Sequence, residues 1–162
     1  MKRALGIDPG LAATGYGVVE EKEGRVAHVA HGVLRPGKGS LPLKLKAIFE
    51  GISQIIALHS PDLVVVEAVF SHLNPRSSLL LGQARGAAVV AAGVAHIPVH
   101  EISPLAVKQA VTGFGHAAKV QVQAMVCRHL GLNVPPPQDA ADALAVAIAT
   151  LWGGGSESIA SL

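Results

Sequence analysis

Ala4-Leu5-Gly6-Ile7-Asp8-Pro9-Gly10 is an apolar run that stops abruptly at a carboxylate and a tight turn. Proline presets φ, glycine tolerates the bend, and aspartate hydrogen-bonds the turn. Apolar residues resume at once in Thr14-Gly15-Tyr16-Gly17-Val18-Val19, so the pattern predicts two strands, about 3–8 and 14–21, around that turn. Gly24 supplies a second turn. Beyond it, residues about 25–35 alternate apolar with polar or small side chains, the period of a half-buried strand. Three strands in direct succession make an antiparallel meander.

The rest of the chain builds outward from this meander. Pro36-Gly37-Lys38-Gly39-Ser40 reads as a loop, and a helix is predicted over about 41–58, with Leu45, Ile48, Phe49, Ile52 and Ile56 on one face. Pro61-Asp62 breaks it. Leu63-Val64-Val65-Val66-Glu67 is a short, wholly apolar strand of the kind covered on both faces. Small residues fill a helix over about 77–95, and a strand follows at about 98–102. Ser103-Pro104 is an N-cap with proline at the first helical position, opening a short helix to about Thr112. After the loop Gly113-Phe114-Gly115-His116, a helix over about 118–130 turns Val122, Met125, Val126 and Leu130 inward, and a last one covers about 139–152. The order is that of an α/β domain: a mixed five-stranded sheet with helices on both faces.

Composition fits one domain. The chain has 162 residues, half of them hydrophobic but only 3% aromatic, so the core must be built of Ala, Val, Leu and Ile. Residues 1–152 are expected to form the domain, and the Gly- and Ser-rich residues 153–162 a flexible tail. The single cysteine, Cys127, excludes a disulfide framework within the chain and suits a reducing cytoplasm. Met1-Lys2-Arg3 leads straight into a strand without a signal-peptide pattern. Gly93, His96 and Pro98 interrupt the longest apolar stretch, so no membrane span is expected. A net charge of +2 leaves nucleic-acid binding to local placement of Lys and Arg.

Acids mark the places where chemistry is expected. Asp8 and Glu67 each end an apolar strand, and Asp139 and Asp142 open an alanine-rich helix; the chain's four aspartates include three of this set. Burying lone carboxylates is costly. Gathered at one rim they would repel one another unless a cation bridged them, and hard divalent cations such as Mg²⁺ take oxygen ligands. The pattern points to a metal-dependent phosphoryl-transfer site.

Each feature has a plainer explanation. Asp8 serves an Asp-Pro-Gly turn. Asp139 at an N-cap with an acid three residues later is a capping-box-like arrangement, although the same spacing sets both carboxylates on one helix face. Glu67 is the hardest to explain structurally, at the end of a valine run. Gly10 and Gly15 have the spacing of a phosphate-binding loop, but Tyr16 and Gly17 stand where Lys and Ser or Thr are required, so a glycine-rich hairpin is favoured. Eight histidines show no zinc-like pairing; His72 and His116 alone fall in loops near the expected site. Gly82, Gly86 and Gly93, with Val89 and Val90, line one side of the 77–95 helix, for packing on the sheet or on a second copy across a twofold axis.

Five segments together resemble the RuvC family of Holliday-junction resolvases: Gly6-Ile7-Asp8-Pro9-Gly10, Thr14-Gly15-Tyr16-Gly17, Glu67-Ala68-Val69-Phe70, Leu81-Gly82-Gln83-Ala84-Arg85-Gly86 and Asp139-Ala140-Ala141-Asp142-Ala143-Leu144-Ala145. The resemblance implies a ribonuclease-H-like fold and a homodimer that binds four-way DNA junctions and makes paired symmetric nicks in recombination and repair. It implies a crossover junction endodeoxyribonuclease using Mg²⁺, with Mn²⁺ able to substitute and two ions per site, beside a branch-migration helicase complex in the cytoplasm, with no membrane role. By position, the metal-binding catalytic acids fall on Asp8, Glu67, Asp139 and Asp142. Lys119 joins the catalytic set, and DNA contacts fall on Phe70, Lys108 and Lys119; Arg76, in the loop after Phe70, is a further candidate DNA contact. Lys119 also opens a helix whose positive end suits a phosphate. The tail 153–162 lacks Lys and Arg, unlike the basic tail of some relatives. Competing readings are another ribonuclease-H-like nuclease acting on RNA, a junction-binding module without cutting, and an actin-like nucleotide binder, which needs two such domains.

Overall fold

The structure, a computed structural model, describes residues 1–68, 74–153 and 160–161. Strands β1 (Lys2–Asp8), β2 (Thr14–Lys22) and β3 (Arg25–Leu34) form the expected meander. They are followed by α1 (Leu41–His59), β4 (Leu63–Glu67), α2 (Pro75–Val94), β5 (Val99–Ile102), α3 (Pro104–Thr112), α4 (Lys119–Leu130) and α5 (Gln138–Leu151). The five expected strands make a mixed sheet. A two-residue strand, β6 (Ala160–Ser161), is added antiparallel along β5, giving the order β3-β2-β1-β4-β5-β6. The β1–β2 and β2–β3 pairs are antiparallel, and β1–β4 and β4–β5 are parallel.

Strand alternation divides the core in two. Ala4, Val19, Leu63, Val65 and Ile102 point to the face covered by α3, α4 and α5. Leu5, Ile7, Val18, Val64, Val66 and Val99 point to the face covered by α1 and α2. Burying each such side chain contributes about 1.5–3 kcal/mol, which explains how a core almost without aromatics suffices. On α1 the buried stripe is Ile48, Ile52, Ile55 and Ile56, with Phe49 partly buried beside it.

Helix α5 lies closer to the sheet than ordinary side chains permit. A Cβ on Gly6 would overlap the Ala143 carbonyl oxygen, one on Gly15 the Asp139 carbonyl, and one on Gly17 would stand 2.7 Å from the Leu144 side chain. Gly6 and Gly17 are cross-strand partners, and Gly15 pairs with Asp8. Gly15 and Gly17 therefore lie in the second strand of the expected β-hairpin, and there they also form a groove for α5. Only Gly10 belongs to the turn, where the buried Thr14 hydroxyl donates to its carbonyl at 2.8 Å.

Helix α2 departs from expectation twice. By length and composition Pro75–Val94 would be able to cross a membrane, contrary to the reading that no stretch qualifies. It nevertheless packs as a domain helix: Ala84, Ala88, Ala91 and Ala92 are buried against the sheet and α1, and Arg85 pairs with Glu101 of β5. Gly82, Gly86 and Gly93 have nothing within 4 Å of an added Cβ, so they do not serve close packing on the sheet. Alanine fills that role, being small yet favourable in a helix.

Candidate active site

Period-two geometry places the first two acids. Ala4 and Leu63 belong to the α5-side core, and β1 and β4 run parallel with Ile7 opposite Val66. Two residues per repeat then brings Asp8 and Glu67 to the same α5-covered face, at adjacent strand ends. The α5 end that carries Asp139 and Asp142 is seated on Gly15, directly beside Asp8. The cap of α5 is Pro137 and makes no side-chain cap bond, with Asp139 in the first turn. This corrects the N-cap assignment for Asp139. Helix capping does not account for the pair.

A cleft of about 230 Å³ opens here, lined by Asp8, Glu67 and Asp142 on the acidic side and by Lys108 of α3 and Lys119 of α4 on the basic side. Pro104, Val107 and Val122 form its apolar wall. Lys119 Nζ stands 2.9 Å from Asp142 Oδ2. The remaining aspartate, Asp62, lies elsewhere and accepts a hydrogen bond from the Arg3 backbone N–H at 2.7 Å.

The acids strain against one another. Burial, then the charges of Asp142, Asp139 and Glu67, push the Asp8 carboxyl up to about 7, against the opposing pull of Lys119. Burial and Asp142 raise Glu67, while Lys108 and Lys119 oppose. Burial raises Asp142 although Lys119 hydrogen-bonds it. Burial alone would lower Lys119, but its bond to Asp142 and the charges of Asp142, Asp8 and Asp139 raise it. Among the described residues, no three His, Cys, Asp or Glu groups converge tightly enough to enclose an ion. The donor set still fits a hard divalent cation. It is all oxygen, and its mutual repulsion is the kind a bound cation relieves.

The other expected residues divide. Lys108 lines the cleft; Arg76 is exposed in the first turn of α2. Phe70 and His72 lie outside the described residues. His116 is exposed and meets Phe114 edge-on, with ring centroids 6.1 Å apart. Sequence reasoning missed the apolar wall and the Gly6–Gly15–Gly17 groove; alternate glycines across two paired strands were the available signal.

The model of the family described as crossover junction endodeoxyribonuclease RuvC matches residues 4–150. The chain belongs to the RuvC family. It is 52% identical over 160 residues to the RuvC crossover junction endodeoxyribonuclease of Thiobacillus denitrificans, covering 98% of this chain and 94% of that one. To the RuvC of Dechloromonas aromatica it is 54% identical, covering 94% and 86%. The fold superposes on T. thermophilus RuvC in complex with Holliday junction substrate with a TM-score of 0.93, at 32% identity and full coverage of both chains. The yeast mitochondrial Holliday junction resolvase Ydc2, at 14% identity and a TM-score of 0.68 over 94% of this chain and 78% of its own, shares the fold. The RuvC fold is ribonuclease-H-like, and the family is one of metal-dependent nucleases.

Proposed function

We infer that this chain is a crossover junction endodeoxyribonuclease, resolving Holliday junctions by paired nicks in recombination and repair. The observation that carries the reading is the cleft in which three separate chain segments bring carboxylates opposite two lysines, in a fold matching RuvC over its whole length. Asp8, Glu67, Asp139 and Asp142 would hold Mg²⁺ or Mn²⁺, two ions per site. Bound there, the metal supplies an activated water and stabilises charge on the leaving oxygen.

The chain's own residues set the stage for that chemistry. Lys108 and Lys119 bring positive charge to the wall facing the acids, where a DNA phosphate must enter. Helix α4 begins at Lys119, and although the Gln121 side chain accepts from the Ala118 N–H at 2.8 Å, the positive end of the helix adds to the same field. Val107, Val122 and Pro104 exclude water behind the phosphate. Phe70 is assigned to stacking at the junction centre and Arg76 to the DNA backbone.

Two copies related by a twofold axis suit paired nicking, because identical sites then face symmetry-related strands. Support comes from α2, which exposes Leu79, Val90 and Val94 by 68%, 55% and 65% along a row with the open Gly82, Gly86 and Gly93. Residues 1–152 act as the nuclease domain and 153–162 as a tail, in the cytoplasm beside a branch-migration helicase complex. The test is incubation with end-labelled four-way junctions and Mg²⁺, with linear duplex and RNA–DNA hybrid as controls. Selective, paired nicking of the junction is expected. Cleavage of the hybrid alone would overturn the reading.

A further inference from the structure

Phe114 is an aromatic ring spent on the surface by a chain that has three phenylalanines in all. It is 59% exposed, at the tip of the loop joining α3 to α4. The loop is firmly built. The Thr112 hydroxyl accepts from Phe114 N–H at 3.1 Å and lies 3.0 Å from the Phe114 carbonyl oxygen. Gln109 donates its side-chain amide to the Gly113 carbonyl at 3.0 Å. Ala117 N–H bonds the Phe114 carbonyl at 3.1 Å, and the Ala117 side chain is buried. An exposed ring on such a scaffold is held out, not left over.

Its position gives the ring a purpose. The loop folds back along α3, so that a Cβ on Gly115 would touch Leu105 at 3.4 Å. Leu105 follows Pro104, which lines the cleft, and Val120 follows Lys119, which lines its basic side; both are exposed, at 56% and 75%. Exposed apolar side chains thus stand on α3, on α4 and on the loop between them, the two helices that supply Lys108 and Lys119 to the cleft. Alternation of apolar and basic groups is what a nucleic-acid strand requires, its sugars and bases meeting the first and its phosphates the second.

Resting on the junction-nuclease reading, we propose that Phe114 is a second DNA-gripping aromatic, packing against a base or sugar of the strand that runs past the cleft. It positions that strand while Lys108 and Lys119 take the phosphates. Phe114 touches no core residue cluster, so its loss leaves the fold intact.

The test uses the whole chain with Phe114→Ala, Phe114→Trp and, as a phosphate-contact comparison, Lys108→Ala. Junction affinity is read by fluorescence anisotropy in chelator over a range of salt, cleavage under single turnover in Mg²⁺, and folding by thermal melts. Phe114→Ala should weaken junction binding by about tenfold, the size of one lost stacking contact, with an unchanged melting temperature. Its salt dependence should stay that of the wild type, because an aromatic contact releases no counterions, whereas Lys108→Ala should flatten it. Phe114→Trp should restore binding. Unchanged binding and cleavage in Phe114→Ala, a loss that tryptophan does not restore, or a defect seen only when a protein partner is added would each overturn the proposal. An inactive wild type would instead overturn the junction-nuclease reading on which it stands.

Discussion

Gly15 lies directly beneath Asp139, so close that a Cβ on the glycine would collide with the Asp139 carbonyl. The same glycine pairs with Asp8 across the β1–β2 ladder. One missing methyl group therefore sets how near an acid on α5 comes to an acid on β1. Gly15→Ala should push the start of α5 away from β1. Overpacking of this kind costs about 1–3 kcal/mol, and a domain of this size loses about 2–4 °C of melting temperature per kcal/mol. Cleavage should fall further than the folded fraction does. Gly82→Ala, at a position with open space within the single chain, should instead gain up to about 1 kcal/mol in helix stability. Wild-type cleavage by folded Gly15→Ala would separate the groove from the site.

Asp8 makes stability depend on pH and on metal. Its carboxyl rises from 3.8 to about 7 on folding, chiefly through burial. Between those values the folded protein keeps a proton that the unfolded chain has lost. The contribution of Asp8 to stability therefore declines as pH rises through that window and stays low above it. Asp8→Asn should melt higher than wild type in chelator at about pH 8, with the gap closing toward about pH 4. Mg²⁺ should narrow the gap at the higher pH by stabilising the wild type. The variant should bind junctions and fail to nick them. Equal melting curves at about pH 8, checked by calorimetry, would place the Asp8 carboxyl in an ordinary solvated environment.

Lys119 should matter far more to cleavage than to folding. Its side chain is 54% exposed, so its bond to Asp142 contributes at most about 1 kcal/mol to stability. Lys119→Ala should slow single-turnover cleavage by at least about tenfold, the effect expected when one charge on a phosphate is lost. Lys119→Arg should recover part of the rate. Comparable loss of stability and activity would make the lysine a structural element.

The dimer proposal distinguishes two adjacent valines. Val90 is 55% exposed, whereas Val89 packs against the α1–α2 core. Val90→Glu should split a dimer and leave the fold standing; Val89→Glu should destabilise the fold itself, because Val89 is partly buried against the core and an unpaired carboxylate there is expensive. Analytical ultracentrifugation of both variants, alongside melting curves, decides this. A wild type that stays monomeric while making paired nicks would reject the twofold arrangement.

Much of the site was legible because it sits where local patterns end. Asp8 and Glu67 close apolar runs of four residues each, and the start of the alanine-rich helix shows in Asp139-Ala140-Ala141-Asp142. The capping of α5 was misread because an acid at a helix start serves a cap and an ion equally well, and Pro137 takes the cap position only in the fold. The groove that the hairpin glycines Gly15 and Gly17 form for α5 was not legible, because hairpin and helix groove make the same demand for a missing Cβ.

Sequence by itself determined the element order, the two-sided burial of β4 and which acids stand at the ends of these elements as candidates, since strand period, helix period and turn chemistry are local properties of the chain. Only the tertiary structure decided which acids face one another, that Lys119 reaches Asp142 and that Phe114 is exposed on the loop between α3 and α4. Those relations join β1, β4, α3, α4 and α5 across separations of up to well over a hundred residues. Sheet register and the close seat of α5 on glycine fix them, and neither is encoded in any one segment.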